Sequence, residues 1–172
     1  AALGILHLWP TARGERLLSF CDESPALVIS VLAIGLCGGI VVPLDPGAPE
    51  ARLHAMIGDC TALAAVCSKT WLALLAAKLS SADLVDACGG PIAIESLEAL
   101  LQVGERSSPL QPSVQASSAI LEGVRPSPSC SLHLIYTSGS TGRPKAVLVT
   151  HGAMRAYAAA KVRAHGVAGC AA

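Results

Sequence analysis

Residues 24–53, SPALVISVLAIGLCGGIVVPLDPGAPEARL, decide the fold because they encode a helix and a strand that are both apolar. Ser24 and Pro25 predict the start of the helix, since serine accepts a hydrogen bond from a free N–H group and proline suits the first turn. The apolar sequence continues to Cys37. A pair of glycines comes next and predicts the end of the helix, where glycine is common.

The second half of this stretch carries a strand signal followed by a helix signal. Ile40–Val42 is β-branched and predicts a buried strand, and the sequence PLDPG at 43–47 predicts a turn. A second helix is expected from Pro49, because apolar residues follow at helical spacing. Its end is expected at Gly58 and Asp59.

The segments on either side extend the same pattern. Leu17–Cys21 and Ala62–Cys67 are short and apolar and predict two more strands, and Thr70–Leu79 predicts a third helix. Strands that alternate with helices are typical of an α/β fold with a mostly parallel sheet flanked by helices. The sequence therefore predicts an α/β fold.

A membrane-spanning segment is the alternative for the most apolar part of the chain. Ser24–Leu44 carries no charge and is long enough to cross a bilayer. Gly38 and Pro43 interrupt it, and the flanking Asp22 and Asp45 are acidic rather than basic. A buried helix followed by a buried strand explains the same residues, so a membrane protein is kept only as the weaker alternative.

Residues 104–131 have a different character from the rest of the chain. They hold eight serines and four prolines and lack an apolar period. This composition predicts an irregular Ser/Pro-rich loop. We place the loop inside one domain rather than between two, because the signals before and after it belong together.

The overall composition indicates a folded chain without a nucleic-acid footprint. Hydrophobic types make up 52% of the residues, and 12 Lys and Arg balance 12 Asp and Glu, so a cationic surface for phosphate backbones is not expected. Seven cysteines lack Cys-x-x-Cys spacing, which favours reduced thiols over disulfides or a zinc site. No signal peptide is visible, and we expect a cytoplasmic protein.

Residues 134–145, LIYTSGSTGRPK, combine an apolar strand with a loop of small and hydroxylated residues that ends on a lysine. Glycines let backbone N–H groups approach an anion, and successive N–H groups can surround phosphate oxygens. Serine and threonine hydroxyls add donors, and Lys145 adds a positive charge. The pattern therefore predicts a phosphate-binding loop between two apolar strands.

This loop differs from the other common phosphate-binding motifs. Pro144 precedes Lys145 and a β-branched stretch follows, whereas the Walker lysine lies at the start of a helix. The Gly-x-Gly-x-x-Gly pattern of dinucleotide sites is absent. Downstream, Thr150 is expected to cap a helix near Gly152, and His151 is interpreted as a structural histidine.

The segment YTSGSTGRPK, residues 136–145, resembles the signature loop of the adenylate-forming (AMP-binding) superfamily, which includes acyl-CoA synthetases, nonribosomal-peptide adenylation domains and luciferases. Residues 27–53 resemble the upstream helix, strand, turn and helix of the same family. The turn PLDPGAPEARL and the TSGSTG form of the loop look closer to amino-acid-activating domains. The resemblance implies that residues 1–172 are a partial N-terminal adenylation domain.

The resemblance also implies a reaction with ATP and Mg²⁺. A small carboxylic acid, either an amino acid or an acyl acid, attacks the α-phosphate and gives an acyl-adenylate. A thiol of coenzyme A, or of phosphopantetheine on a carrier protein domain, usually accepts the acyl group next. No catalytic residue and no protein metal ligand is assigned within the chain. The residues implied to hold the β- and γ-phosphates are Thr137, Ser138, Gly139, Ser140, Thr141, Gly142 and Lys145.

The chain departs from the family pattern in two respects. The family usually has glycine after the loop lysine, and the Cβ of Ala146 would crowd the backbone if its φ were positive. None of the family's later motifs matches the residues after Lys145. We therefore expect either a ligase that is active once completed or an inactive truncated fragment with at most weak nucleotide binding. Truncation is expected to expose apolar faces and sheet edges.

Overall fold

A computed structural model describes residues 1–80, 86, 89–106, 126–138 and 144–166 of the chain. The strands of its sheet are β1 (Arg16–Phe20), β2 (Ile40–Leu44), β3 (Ala64–Cys67), β4 (Ala93–Ser96), β5 (Ser131–Thr137) and β6 (Lys145–Thr150). The α-helices are α1 (Ala2–Leu8), α2 (Pro25–Leu36), α3 (Glu50–Cys60), α4 (Leu72–Ser80), α5 (Leu97–Arg106) and α6 (His151–Ala164). A 3₁₀ turn at Lys69–Trp71 precedes α4.

The strands form one sheet in the order β4-β3-β1-β2-β5-β6. The first five strands in this order run parallel to their neighbours, and β6 runs antiparallel to β5. The predicted α/β fold with a mostly parallel sheet is therefore confirmed. Strand β2 lies next to β1 on one side, and the following strand, β3, lies next to β1 on the other side. The direction in which successive strands are added to the sheet therefore reverses at β1.

Both faces of the sheet are buried, and successive strand residues point to opposite faces. Leu18, Phe20 and Val42 belong to a core that is closed by α3 and α4. Leu17 and Val41 belong to a second core that is closed by α1, α2 and α5. Helices on both faces explain why the strands read as continuous apolar runs rather than as alternating ones.

Helix α2 begins and ends where the sequence predicts. The Ser24 side chain accepts a hydrogen bond of 3.3 Å from the Ala26 N–H group, and Pro25 occupies the first turn. Gly38 has a φ of 74°, a left-handed conformation that favours glycine. A Cβ on Gly39 would lie 2.9 Å from a Leu17 methyl carbon, so the second glycine is required by close packing.

Two predicted boundaries were wrong. Strand β2 continues through Pro43 and Leu44, which the sequence assigned to a turn. Proline has no N–H group to donate to a neighbouring strand. It is tolerated at position 43 because β5 pairs with β2 only at Val41, so the hydrogen bonds between β2 and β5 do not extend to Pro43. Helix α3 passes through Gly58 and ends at Cys60, because packing of its apolar face outweighs the helix-breaking tendency of one glycine.

The segment assigned to an irregular loop, residues 104–131, is bounded by regular structure. Helix α5 continues to Arg106, and strand β5 already begins at Ser131. Residues 107–125 of this segment lie outside the described residues. The described helix α1 and the pair formed by β4 and α5 had no counterpart in the sequence prediction, since α1 lies in weakly patterned sequence.

The uncharged run of residues 24–44 is divided between helix α2 and strand β2. Within the ranges given above, no helix has the length and apolar character needed to cross a membrane. The outer face of α2 nevertheless remains apolar and exposed: the accessible fractions of Val28 and Leu32 are 58% and 59%. Ile29 and Leu36 are exposed on the same helix.

Helices α1 and α5 approach each other so closely that only glycine fits at their contact. A Cβ on Gly4 would lie 2.0 Å from the Leu100 carbonyl oxygen, which is backbone and cannot rotate away. A Cβ on Gly104 would lie 3.2 Å from the Gly4 nitrogen. The short helix α1 thus depends on backbone contact with α5 for its position.

Replacement of Gly4 by alanine should therefore destabilise the chain by about 1–3 kcal/mol, the usual cost of overpacking. The matched control is Gly58→Ala in α3, because Gly58 is an exposed helix residue. This control should stabilise the chain by about 1 kcal/mol through helix propensity. Urea unfolding of both variants measures the difference, and equal effects of the two substitutions would contradict the close contact.

Polar replacement of the exposed apolar face of α2 should improve solubility at little cost in stability. Val28→Gln together with Leu32→Gln should lower binding of an apolar fluorescent dye and change the free energy of unfolding by no more than about 0.5 kcal/mol per site. Ile34→Gln is the control on the same helix, because Ile34 is fully buried and its replacement should unfold the chain. Equal losses of stability would show that the outer face is packed.

Candidate functional site

The predicted loop joins the ends of two antiparallel strands. Thr137 ends β5 and lies directly opposite Lys145, the first residue of β6. The Thr137 hydroxyl donates a hydrogen bond of 3.3 Å to the Lys145 carbonyl oxygen. The loop therefore leaves the sheet from a base that fixes the distance between its first and last residues.

The base of this hairpin lies at the carboxyl end of the parallel sheet. Strand β5 runs parallel to β2, so Thr137 lies at the same edge of the sheet as Leu44 and Phe20, the last residues of β2 and β1. In open α/β sheets this edge is where ligands bind. The position of the loop thus agrees with a binding role.

The structure describes three of the seven residues assigned to the site from sequence. Thr137, Ser138 and Lys145 lie at the two ends of the loop, and their side chains are exposed. The Ser138 hydroxyl and the Lys145 ammonium group can donate hydrogen bonds to an anion, whereas the Thr137 hydroxyl already donates to the Lys145 carbonyl oxygen. Gly139, Ser140, Thr141 and Gly142 lie outside the described residues.

Tyr136, which immediately precedes the loop base, makes a contact that sequence reasoning missed. Its ring is buried with 8% accessibility, and its hydroxyl lies 2.7 Å from Asp59 Oδ2 and 3.1 Å from the Met56 carbonyl oxygen. Burial is the main cause that raises the pKa of Tyr136, and the hydrogen bond to Asp59 acts in the same direction. The phenol therefore stays protonated and can donate. In the sequence, the burial of Tyr136 was indicated only by its alternation with Leu134 along the strand.

Ala146, where the family usually has glycine, does not strain the hairpin. Among the described non-glycine residues, Thr61 alone has a positive φ. The Ala146 backbone therefore has an ordinary strand conformation, and its methyl group is exposed. The concern that a Cβ would crowd the backbone at this position is removed.

Two histidines lie near the open end of the hairpin, where β5 begins and β6 ends, on the side away from the loop. The backbone N–H group of His151 donates a hydrogen bond of 2.9 Å to the Cys130 carbonyl oxygen. The Thr150 hydroxyl accepts a hydrogen bond from the backbone N–H group of Ala153, which confirms the predicted helix cap. Burial is the main cause that lowers the pKa of His133, and the nearby His151 adds to it. Burial also lowers the pKa of His151. Neither ring approaches the phosphate-binding candidates.

No group of three or more His, Cys, Asp or Glu side chains is arranged to hold a metal ion in the part of the chain that the structure describes. The groups at the loop base are hydrogen-bond donors and a cation, which suit phosphate oxygens rather than a metal. What the arrangement can do chemically is bind and neutralise an anionic group.

The sequence matches the AMP-binding enzyme family over residues 6–170. The chain belongs to the AMP-binding enzyme family. The match includes the whole hairpin and its loop, together with helix α2 and strand β2. The resemblance that the loop indicated is thereby confirmed.

Relatives of this AMP-binding chain include large peptide synthetases. It is 34% identical over 145 residues to the hybrid PKS-NRPS synthetase pydA of Acremonium sp, with 84% of the chain and 3% of the relative covered. It is 35% identical over 138 residues to tyrocidine synthase 3 of Brevibacillus parabrevis, with 80% and 2% covered. The chain thus spans a few hundredths of the length of these relatives, and they support the likeness to nonribosomal-peptide adenylation domains.

Solved structures of the same kind share the fold. The complex of VinN with 3-methylaspartate has a TM-score of 0.68 at 27% identity, and the match covers 95% of this chain and 41% of the VinN chain. The N-terminal subdomain of Klebsiella oxytoca NpsA has a TM-score of 0.57 at 24% identity, which supports the fold alone. The described fold is that of the N-terminal part of adenylate-forming enzymes.

The lowered pKa values of His133 and His151 predict that the chain loses stability in mild acid. The unfolded histidine pKa is about 6.5, and a lowered folded pKa means that the unfolded state binds more protons. The contribution of the two histidines to the free energy of unfolding is complete above about pH 6.5 and is lost as the pH falls below that value. His133→Gln should reduce the fall in Tm between about pH 7 and pH 5, measured by circular dichroism.

The control for this titration is His7→Gln, because the His7 side chain is exposed on α1. This variant should keep the wild-type dependence of Tm on pH. A wild-type Tm that is constant across the range, or an unchanged slope in His133→Gln, would contradict a contribution from the half-buried His133 imidazole.

Proposed function

We propose that residues 1–172 are the front part of an adenylation domain that activates a carboxylic acid with ATP. The observation that carries the proposal is the hairpin base, where Thr137, Ser138 and Lys145 are exposed together at the carboxyl end of the sheet. Membership of the AMP-binding enzyme family supports the assignment. Residues 104–131 belong to the same domain in this proposal.

In the proposed reaction a carboxylate oxygen of the substrate attacks the α-phosphorus of ATP. A bond forms between that oxygen and phosphorus, and the bond from the α-phosphorus to the bridging oxygen breaks, so that pyrophosphate leaves with its negative charge. The loop, Thr137 to Lys145, holds the β- and γ-phosphates. Its ammonium, hydroxyl and backbone N–H groups neutralise the charge that develops on the leaving group. Mg²⁺ enters with ATP and supplies further positive charge.

The substrate class that we propose is an amino acid, and the acceptor is a phosphopantetheine thiol on a carrier domain. The peptide synthetases among the relatives support both choices over a fatty acid and coenzyme A. VinN has been solved with L-aspartate and with 3-methylaspartate. The cytoplasmic location stays a prediction.

A second candidate is a chain that binds nucleotide weakly and does not catalyse adenylation. It is the alternative that the sequence left open. Sequencing of the transcript across the codon for Ala172 separates the two candidates and defines the full-length protein. An open frame with further family motifs supports the enzyme, whereas an immediate stop codon supports the second candidate.

Replacement of Lys145 by alanine in the full-length protein should slow adenylate formation at least tenfold. Loss of the ammonium group removes one charge that stabilises the leaving pyrophosphate, and such contacts are worth about 2–4 kcal/mol in the transition state. The measurement is exchange of labelled pyrophosphate into ATP with a panel of amino acids.

Lys161→Ala is the matched control for this measurement, because Lys161 lies on α6, where its ammonium group is 5.6 Å from the centre of the Tyr157 ring. The control should keep the wild-type rate. An exchange rate of Lys145→Ala equal to that of the control would eliminate the proposed role of the loop lysine.

A further inference from the structure

The hydroxyl of Tyr136 connects the loop base to a helix on the opposite side of the core. Tyr136 directly precedes Thr137, and its partners Met56 and Asp59 lie in the last turns of α3, 80 and 77 residues earlier in the chain. The distance of 2.7 Å to Asp59 Oδ2 is typical of a strong hydrogen bond to a carboxylate. The bond is half-buried: the Tyr136 side chain lies in the core, whereas Asp59 is exposed at the end of α3.

The position of Asp59 is unusual for a residue that serves only helix stability. It lies one residue before Cys60, the last residue of α3, and a negative charge at this end of a helix opposes the helix dipole. The Tyr136 hydroxyl donates to this carboxylate and offsets the unfavourable charge. The Arg16 guanidinium reaches the same end of α3, where it donates a hydrogen bond of 2.9 Å to the Thr61 hydroxyl.

The end of β5 that leads into the loop is paired with β6 from Ile135 to Thr137. The register between β2 and β5 contains the single pair Val41 and His133, near the amino end of β5. On the other side β5 pairs with β6, whose residues from Lys145 to Leu148 are exposed. Leu134 and Tyr136 are the residues of β5 that insert into the core beneath α3, and Tyr136 is the nearer to the loop.

We propose that the hydrogen bond between Tyr136 and Asp59 positions the phosphate-binding loop, so that Tyr136 is a positioning residue for ATP. This inference rests on the proposed function of the loop. The hydroxyl does not contact substrate; it fixes the height and tilt of the hairpin base relative to α3. A shift of about 1 Å at a reacting group can cost about a hundredfold in rate, so a tether of this kind matters for catalysis.

The first test measures the tether itself, without nucleotide. Amide hydrogen exchange in peptides covering residues 131–137 and 145–150 should become at least tenfold faster in Tyr136→Phe and in Asp59→Ala, because the hairpin base opens more often. Asp59→Asn keeps an acceptor oxygen and should exchange as the wild type does. Tyr157→Phe is the matched control, since Tyr157 is 59% exposed on α6.

The second test measures pyrophosphate exchange in the full-length protein at a temperature where every variant is fully folded. Tyr136→Phe should raise the KM for ATP at least fivefold and leave the KM for the amino acid unchanged. Asp59→Ala should have the same effect, and the double variant should be no worse than either single one, because the two groups act as a pair. Tyr157→Phe should keep both KM values.

The two tests separate failure of this inference from failure of the proposed function. Wild-type protein that exchanges no pyrophosphate would refute the adenylation function, while the hydrogen-exchange comparison would still test the tether. Unchanged amide exchange in Tyr136→Phe would overturn the tether. A lower Tm with an unchanged KM for ATP would show that Tyr136 serves stability alone and would overturn its positioning role.

Discussion

The parallel sheet can exist only because helices cover both of its faces. Leu18 and Val42 point into one core and Leu17 and Val41 into the other, so each strand is apolar on both sides. A helix therefore follows each of the strands β1 to β4, and the carboxyl ends of the parallel strands then meet at one edge. The candidate site lies at this edge, so its position follows from the burial of both faces of the sheet.

The last hairpin departs from this pattern and has a different role. Strand β6 is antiparallel to β5 and largely exposed, so it contributes little to the core. What it supplies is a paired base, Thr137 against Lys145, for a loop with few groups that can pack. A loop that surrounds phosphate needs free N–H and hydroxyl groups. Those groups cannot also make the hydrogen bonds that would hold the loop itself in shape. Its geometry must therefore be set from the strands and from what anchors them.

Much of the fold followed from local signals. The caps of α2, the glycine pair after it and the β-branched runs gave the strands and helices, because these preferences arise within a few residues. Pro43 and Gly58 misled the prediction, since sheet pairing and helix packing outweigh the local preference of one residue. Helix α1 was missed because its place depends on the contact of Gly4 with Leu100, nearly a hundred residues away.

The sequence by itself determined the family and the α/β class, because the motif and the apolar periods lie in short continuous segments. It determined neither the sheet order nor the environment of the loop. Strand order depends on contacts between distant segments, and the bond from Tyr136 to Asp59 joins residues that no periodicity relates. Only the tertiary structure placed a buried phenol beside a helix-terminal carboxylate, because Tyr136 packs in the same core as the apolar face of α3.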